Sequence, residues 1–490
     1  MGNRMYWLAG VALLAAQPAL SQQQANPQIT AYQGGVDAGE EADTSRIRIT
    51  AMDMAVRLAG PTAQVTLEME LATDNRQDDE ARLSLLLPEG AVVTGYALSV
   101  DGRMIPGSLL EQTRAREVYE DEVRGRIDPG LAEVTGNRFD TRIYPLTKGK
   151  PRRIRLSFVT ALDPDRGLHL PLLATQDVGL ATVRIEAAGY AQPPEARFDG
   201  DSLRFERQGD GYTARIERQG FRLDEGFYIA AGRHAGAVLA VHETGEAFLA
   251  LTLDDLPEGR AIQPEGRLRI YWDRSLSRRD DLLEQEIAMI EALVERTRPS
   301  AIDIVSFASD EPVVNSLTDT RALRGVLEAQ TYRGATSLAG LTDLELEQAS
   351  QCLLFTDGEA TVDFATAFTP DCPTALVSSS RSADSARLDA LAAASGGEVV
   401  RLTAENADQL AARLSQGMAS VTALRDDEGE EVSFRQLAAS AGELALVAPA
   451  GASAFWDVTY RSGDGASATR RIGRPRGDAI ASDGPGALWA

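Results

Sequence analysis

Leu268-Arg-Ile-Tyr-Trp-Asp273-Arg-Ser275-Leu-Ser277 is a short, mostly apolar run that stops at a carboxylate and continues with alternate hydroxyls. An apolar run of this length, with turn residues behind it, suits a strand buried on both faces. Downstream the pattern repeats with helices between. Leu283, Ile287, Ile290 and Val294 mark one helical face, and Ile302 to Phe307 reads as a second strand. Val313-Val314 lies in a short edge segment, Leu323 to Leu327 is helical, and Leu353 to Phe355 is another buried strand. Ala375 to Val377 and Val399 to Leu402 follow, each with an Ala/Leu-rich helix, Leu388 to Ala394 and Leu410 to Leu414. Strand–helix repetition with short apolar strands predicts an α/β unit with a doubly wound parallel sheet.

That expectation gives the polar residues a place. In an open parallel sheet, ligands bind beyond the carboxyl ends of the strands. Asp273 ends one predicted strand and Asp357, in Phe-Thr-Asp-Gly, ends another. Asp-x-Ser-x-Ser sets Asp273, Ser275 and Ser277 on one side of an extended turn, and Thr336 lies in Gly-Ala-Thr-Ser-Leu between them. Together they offer two carboxylates and three hydroxyls, a hard-oxygen set suited to Mg2+ (or Mn2+) with room for a ligand from outside. The competing reading of Ser277 is an N-cap for the following helix.

The rest of the chain is strand-rich. From Ile29 to Asp165, Val65, Leu67, Met69 and Leu71 alternate with polar residues, as do Ile154, Leu156 and Phe158. Between these, Leu109 to Val123 is charged and helix-prone. Residues 166–245 carry further short strands separated by Gly/Asp turns, a pattern that suits a separate small sandwich; residues 421–490 return to β character and end in a flexible tail. At 490 residues, two to four domains are expected: 29–165, 166–245, 246–420 and 421–490, after an export segment at 1–21.

That export segment has Arg4, an apolar run from Met5 to Leu14, and small residues at Ala19-Leu20-Ser21, the layout of a cleavable signal peptide. An exported protein of a Gram-negative bacterium, in the periplasm or at the cell surface, is the expectation. Beyond that segment no membrane span is expected, including in the last twenty residues. The formal net charge of -24 argues against nucleic acid and favours divalent cations. The cysteines, Cys352 and Cys372, begin or precede neighbouring predicted strands at the same end; a bridge and two free buried thiols both fit that spacing.

Asp273-x-Ser275-x-Ser277, Thr336 and Thr356-Asp357-Gly358 resemble the metal-ion-dependent adhesion site (MIDAS) of von Willebrand factor type A (VWA) domains, over about residues 246 to 420. The resemblance implies a Rossmann-like domain that holds Mg2+ and completes its coordination with an acidic side chain, Asp or Glu, of a protein partner. Trp272, Arg274 and Arg278 stand where such domains usually carry small or apolar residues, and Arg274 is placed to shield the ion or to pair with a partner carboxylate. A second resemblance lies upstream. Leu83-Ser-Leu-Leu-Leu-Pro88, Tyr96 with Asp101-Gly102-Arg103, Ala115-Arg-Glu-Val-Tyr119-Glu, Asn137-Arg-Phe139 and Ile143 to Pro145 resemble a vault/inter-alpha-trypsin (VIT) domain, over about residues 40 to 162. That order of domains implies a bacterial VIT–VWA protein, and Leu488-Trp489-Ala490 resembles a sequence that in such relatives leads into a further helical stretch.

The function expected is metal-dependent protein binding of the cell-adhesion type. The alternatives are an envelope scaffold with a purely stabilising metal, and a periplasmic hydrolase. Catalysis is disfavoured: His169, His234 and His242 lack metal-ligand spacing, and neither Gly-x-Ser-x-Gly nor His-Glu-x-x-His occurs. No catalytic residue and no organic cofactor is expected.

Overall fold

The computed structural model describes residues 25–490 apart from 34–42, 44, 89, 101, 112–130, 136, 164–165, 233–235, 243, 257–265, 343, 360–367, 369, 371, 373, 381–382, 385–386, 389, 393–396, 405, 417–418, 441–442, 462–465, 476–478 and 490. The export segment 1–21, Asp101, Gly396 and most of the helix-prone stretch, with Ala115 and Tyr119, lie outside the described residues. The start of that stretch differs from the helical expectation: Ser108–Glu111 is a strand paired in parallel with Leu131–Thr135.

The N-terminal half is built on an eight-stranded sheet. Its central strands are Ile47–Ala59, Thr62–Thr73 and Arg152–Ala161. The alternating Val65, Leu67, Met69 and Leu71 all face one core. That core is shared with a five-stranded sheet containing Asp79–Leu86 and Arg138–Leu146, which contribute Leu83, Leu85, Phe139 and Ile143. Tyr96 packs against Phe139 with tilted rings, their centroids 5.3 Å apart, and its hydroxyl meets Thr141 Oγ1 at 2.8 Å.

Residues 166–245 do not form a sandwich of their own. Val178–Ala188 pairs in parallel with Ile47–Ala59 and carries Gly211–Phe221 into the same eight-stranded sheet. Only the short strands Leu168–Leu170, Ala196–Phe198, Asp201–Ser202 and Phe227–Ile229 make a separate four-stranded sheet. Parallel pairing joins segments far apart in sequence, which local turn signals do not report.

The tail also has partners. Ala247–Leu253 belongs not to the α/β sheet but to a five-stranded sheet with Ala237–Val241, Arg435–Ser440, Glu443–Pro449 and Ile480–Ala481. This sheet shares a core with the three-stranded sheet of Ser420–Arg425, Phe455–Arg461 and Ser467–Gly473, around the buried Trp456. The expected flexible tail is instead a short helix, Gly484–Trp489, whose Leu488 packs with Val159, Ala250 and Val447. Asp483 just before it is hydrogen-bonded by Gln64 at 2.9 Å.

Between those two strand-rich segments lies the α/β unit. Its six-stranded sheet runs Val313–Leu317, Ala301–Phe307, Arg267–Asp273, Gln351–Phe355, Thr374–Ser378, Glu398–Arg401. All pairs are parallel except the antiparallel edge strand Val313–Leu317. Leu268, Ile270 and Trp272 pack on one face against the helices Leu283–Thr297 and Ala407–Leu414. Tyr271 packs on the other face with Val305, Phe307 and Leu354. Burial on both sides explains why these strands read as continuous apolar runs rather than alternating ones.

Candidate metal centre

The strand order reverses between Arg267–Asp273 and Gln351–Phe355, which are neighbours although about eighty residues apart in sequence. Reversal makes the two following loops diverge to opposite sides and opens a crevice at the carboxyl edge. Asp273 is the last residue of the first strand, and Asp357 comes two residues after the second.

The structure brings the five sequence-predicted residues to this crevice. Asp273 Oδ1 accepts the backbone N–H of Ser275 at 2.9 Å, fixing the turn. Ser275 Oγ and Ser277 Oγ lie 3.1 Å apart. Thr336 Oγ1 donates to Asp273 Oδ2 at 3.4 Å. Asp357 is buried beside them and accepts the Glu359 N–H at 2.9 Å. Ser277 is not an N-cap: it lies inside the 3-10 turn Leu276–Asp280, and the long helix starts at Leu283 after Leu282.

The loop carrying Thr336 is held by the first loop's backbone. Leu276 N–H donates to Gly334 C=O at 3.0 Å, and Arg333 N–H to Arg274 C=O at 2.9 Å. Gly334 has φ +73°, and a Cβ there would sit 2.6 Å from Ser309 Oγ. Only glycine meets both demands without strain.

Burial pushes the Asp273 carboxyl up from its ordinary range; Arg278 pulls it back, and the Asp357 charge pushes it further up. The Asp273 carboxyl, buried beside Asp357, therefore lacks full compensation, the condition a divalent cation relieves. The donors are all hard oxygens, which fits Mg2+ or Mn2+. Among the described residues no group of three His, Cys, Asp or Glu side chains could hold a metal, so any ion here would depend on the hydroxyls as much as on the carboxylates.

The two arginines of the loop take different directions. Arg274 pairs with Asp310 at 2.6 Å and holds that carboxyl below its usual range, with Arg333 also on Asp310. It is engaged there rather than over the crevice. Arg278 points inward and is buried beneath the loop. Sequence reasoning missed its partners Asp281 and Glu286, and gave Thr356 of the Thr-Asp-Gly step no role; its Oγ1 donates to Asp273 Oδ2 at 2.7 Å. Thr356 stands next to Asp357, so that position was open to inspection; Glu286 carries no local signal.

At the opposite end of the sheet Cys352 and Cys372 form a disulfide with a Cα–Cα distance of 5.7 Å. Among the described residues no helix is long and apolar enough to cross a membrane.

No curated protein matches the chain. Among solved structures, it is similar to a von Willebrand factor type A protein from Catenulispora acidiphila (12% identity, 51% of this chain and 72% of that one, TM-score 0.28). It is also similar to an aerotolerance-related membrane protein from Bacteroides fragilis (15%, 30% and 95%, TM-score 0.26), and to the VWA domain of SpRpn10 (11%, 30% and 93%, TM-score 0.21). TM-scores this low establish neither fold nor function. The family model described as "Vault protein inter-alpha-trypsin domain" matches residues 49–158, which fall on the central strands of the eight-stranded sheet and the strands packed against them. The chain thus carries a VIT domain at residues 49–158.

Proposed function

We propose that the chain is an exported, adhesion-type protein-binding module whose α/β unit acts as a metal-dependent VWA domain. Asp273, Ser275, Ser277, Thr336 and Asp357 would hold Mg2+ (or Mn2+), and an Asp or Glu side chain of a protein partner would complete the coordination. The observation that carries this reading is the meeting of the five oxygen-bearing side chains at the sheet's reversal point, with Asp273 buried and undercompensated. The VIT domain and the flanking β-sheets would serve as the platform that presents this face. Export agrees with the disulfide, since such bonds persist in oxidising compartments.

The test is capture of partners from a Gram-negative envelope extract with Mg2+ or with chelator. Wild type should retain partners only with Mg2+, and an Asp273→Ala/Asp357→Ala variant should retain none. Equal recovery in all conditions would favour a scaffold whose metal merely stabilises the fold.

A further inference from the structure

Arg278 is the most enclosed cation near the crevice, with no exposed side-chain surface. Its Nη1 donates to the carbonyl oxygens of Asp273 at 2.9 Å and of Phe355 at 3.1 Å. One guanidinium nitrogen therefore ties together the ends of the two strands that carry the metal carboxylates. Nε donates to Asp281 at 3.0 Å, and Nη2 pairs with Glu286. Glu286 is fully buried in turn and accepts from Ser379 Oγ at 2.7 Å, while the guanidinium lies 5.2 Å over the Trp272 ring. Every side of the group is occupied, and none faces solvent.

Asp273, Asp281, Glu286 and Asp357 are all buried or nearly so and would together carry four negative charges if ionised, against the single charge of Arg278. A buried charge is tolerated only when paired and hydrogen-bonded. Arg278 thus supplies part of the compensation that a divalent ion would otherwise supply, from the protein side of the same cluster.

We propose that Arg278 is a positioning residue and resident counter-cation: it ties the two strand ends together before any metal arrives, and its charge lowers the affinity of the crevice for Mg2+ by more than those contacts raise it. This rests on the metal-dependent reading above. The crevice would then be preformed but tuned to bind weakly, so that occupancy follows the free cation concentration and the partner's carboxylate.

The test uses the full chain and Mg2+ alone as the probe. Calorimetry compares wild type with Arg278→Gln, which removes the charge, and Arg278→Lys, which keeps it. Removing a like charge several ångströms from a divalent ion should tighten Mg2+ binding roughly tenfold in Arg278→Gln, whereas Arg278→Lys should stay near wild type. An arginine with only a structural role predicts the reverse, with both substitutions weakening binding. Heat from wild type that Arg278→Gln leaves unchanged or reduces would overturn the proposal and spare the metal reading. Absence of heat from all three proteins would defeat the metal reading, and the proposal with it. Should Arg278→Gln fail to fold, hydrogen exchange of wild type decides. The Ser275 and Leu276 amides, bonded to Asp273 and Gly334, should be protected in chelator to within about threefold of their Mg2+ values. Exchange faster in chelator by more than about tenfold would show a loop ordered by metal, and would overturn the proposal.

Discussion

Reducing the Cys352–Cys372 bond should cost the α/β unit most of a chain-closure entropy that can be worked out from the sequence separation. The bond closes a loop of 20 residues. In the chain-entropy treatment, a loop of that length removes about 11 cal/mol/K from the unfolded ensemble, or about 3.3 kcal/mol at 25 °C. With an m-value of about 1–3 kcal/mol/M for a unit of this size, the urea midpoint should fall by about 1–3 M. The chain has two cysteines, so reductant acts on a single bond and leaves every side chain in place. Trp272, buried against Phe355 at 5.0 Å between ring centroids, reports unfolding of this unit. The bond lies at the start of the Gln351–Phe355 strand, five residues before Asp357 and so about 16 Å away along an extended chain. Reduction should therefore leave Mg2+ affinity within about twofold while stability falls, because the bond shares no partner with the crevice residues. A midpoint shift under about 0.3 M would refute the entropic reasoning, and two thiols reactive in the unreduced, denatured protein would refute the bond itself.

Three further outcomes follow from particular contacts. Gly334→Ala should cost about 1–3 kcal/mol, since it places a Cβ at positive φ against Ser309, and should also abolish Mg2+-dependent capture; unchanged melting and capture would show that the loop tolerates the side chain. Leu293→Ala, fully buried on the helix that covers the sheet, should cost about 2–5 kcal/mol by chemical denaturation, and a loss under about 1 kcal/mol would deny the helix its place in the core. Asp281, 5% exposed, is pushed up by burial from 3.8 to about 6 despite Arg278. Because the folded value exceeds the unfolded one, its contribution is complete below about pH 4 and disappears as pH rises through about 6. In chelator, protonation of Asp281 should contribute at most about 3 kcal/mol of stability as pH falls from 7 to 4, and Asp281→Asn should flatten the slope by that share; equal slopes in the two proteins would contradict the assignment.

Much of the architecture is written in local periodicity. Val65 to Leu71 alternate because one face of their strand is core, and Leu268 to Trp272 do not alternate because both faces are. The candidate site was legible for a related reason: strand ends and loop hydroxyls leave a spacing that can be read without coordinates. What stayed hidden depends on long-range pairing. Nothing local tells that Val178–Ala188 joins Ile47–Ala59 in parallel, or that Ala247–Leu253 pairs with Glu443–Pro449 beyond an inserted α/β unit. The same holds for Arg278. Its sequence position marks only a departure from the small residues of such loops, and the packing of the Leu283–Thr297 helix on the sheet brings Glu286 to it. Trp489 and Leu488, in a segment rich in small residues, form a docked helix because Val159, Ala250 and Val447 offer an apolar seat.

Five side chains at the sheet's reversal point are proposed to bind one divalent ion. Electron paramagnetic resonance of Mn2+ titrated with the full chain tests it most directly, because the signal of the free aqueous ion falls as the ion is bound. One Mn2+ per wild-type chain should disappear from the free signal and return on addition of excess Mg2+, while Asp273→Asn/Asp357→Asn should leave the free signal untouched. A free signal that the wild-type chain does not diminish, or that the double variant diminishes equally, would contradict the account.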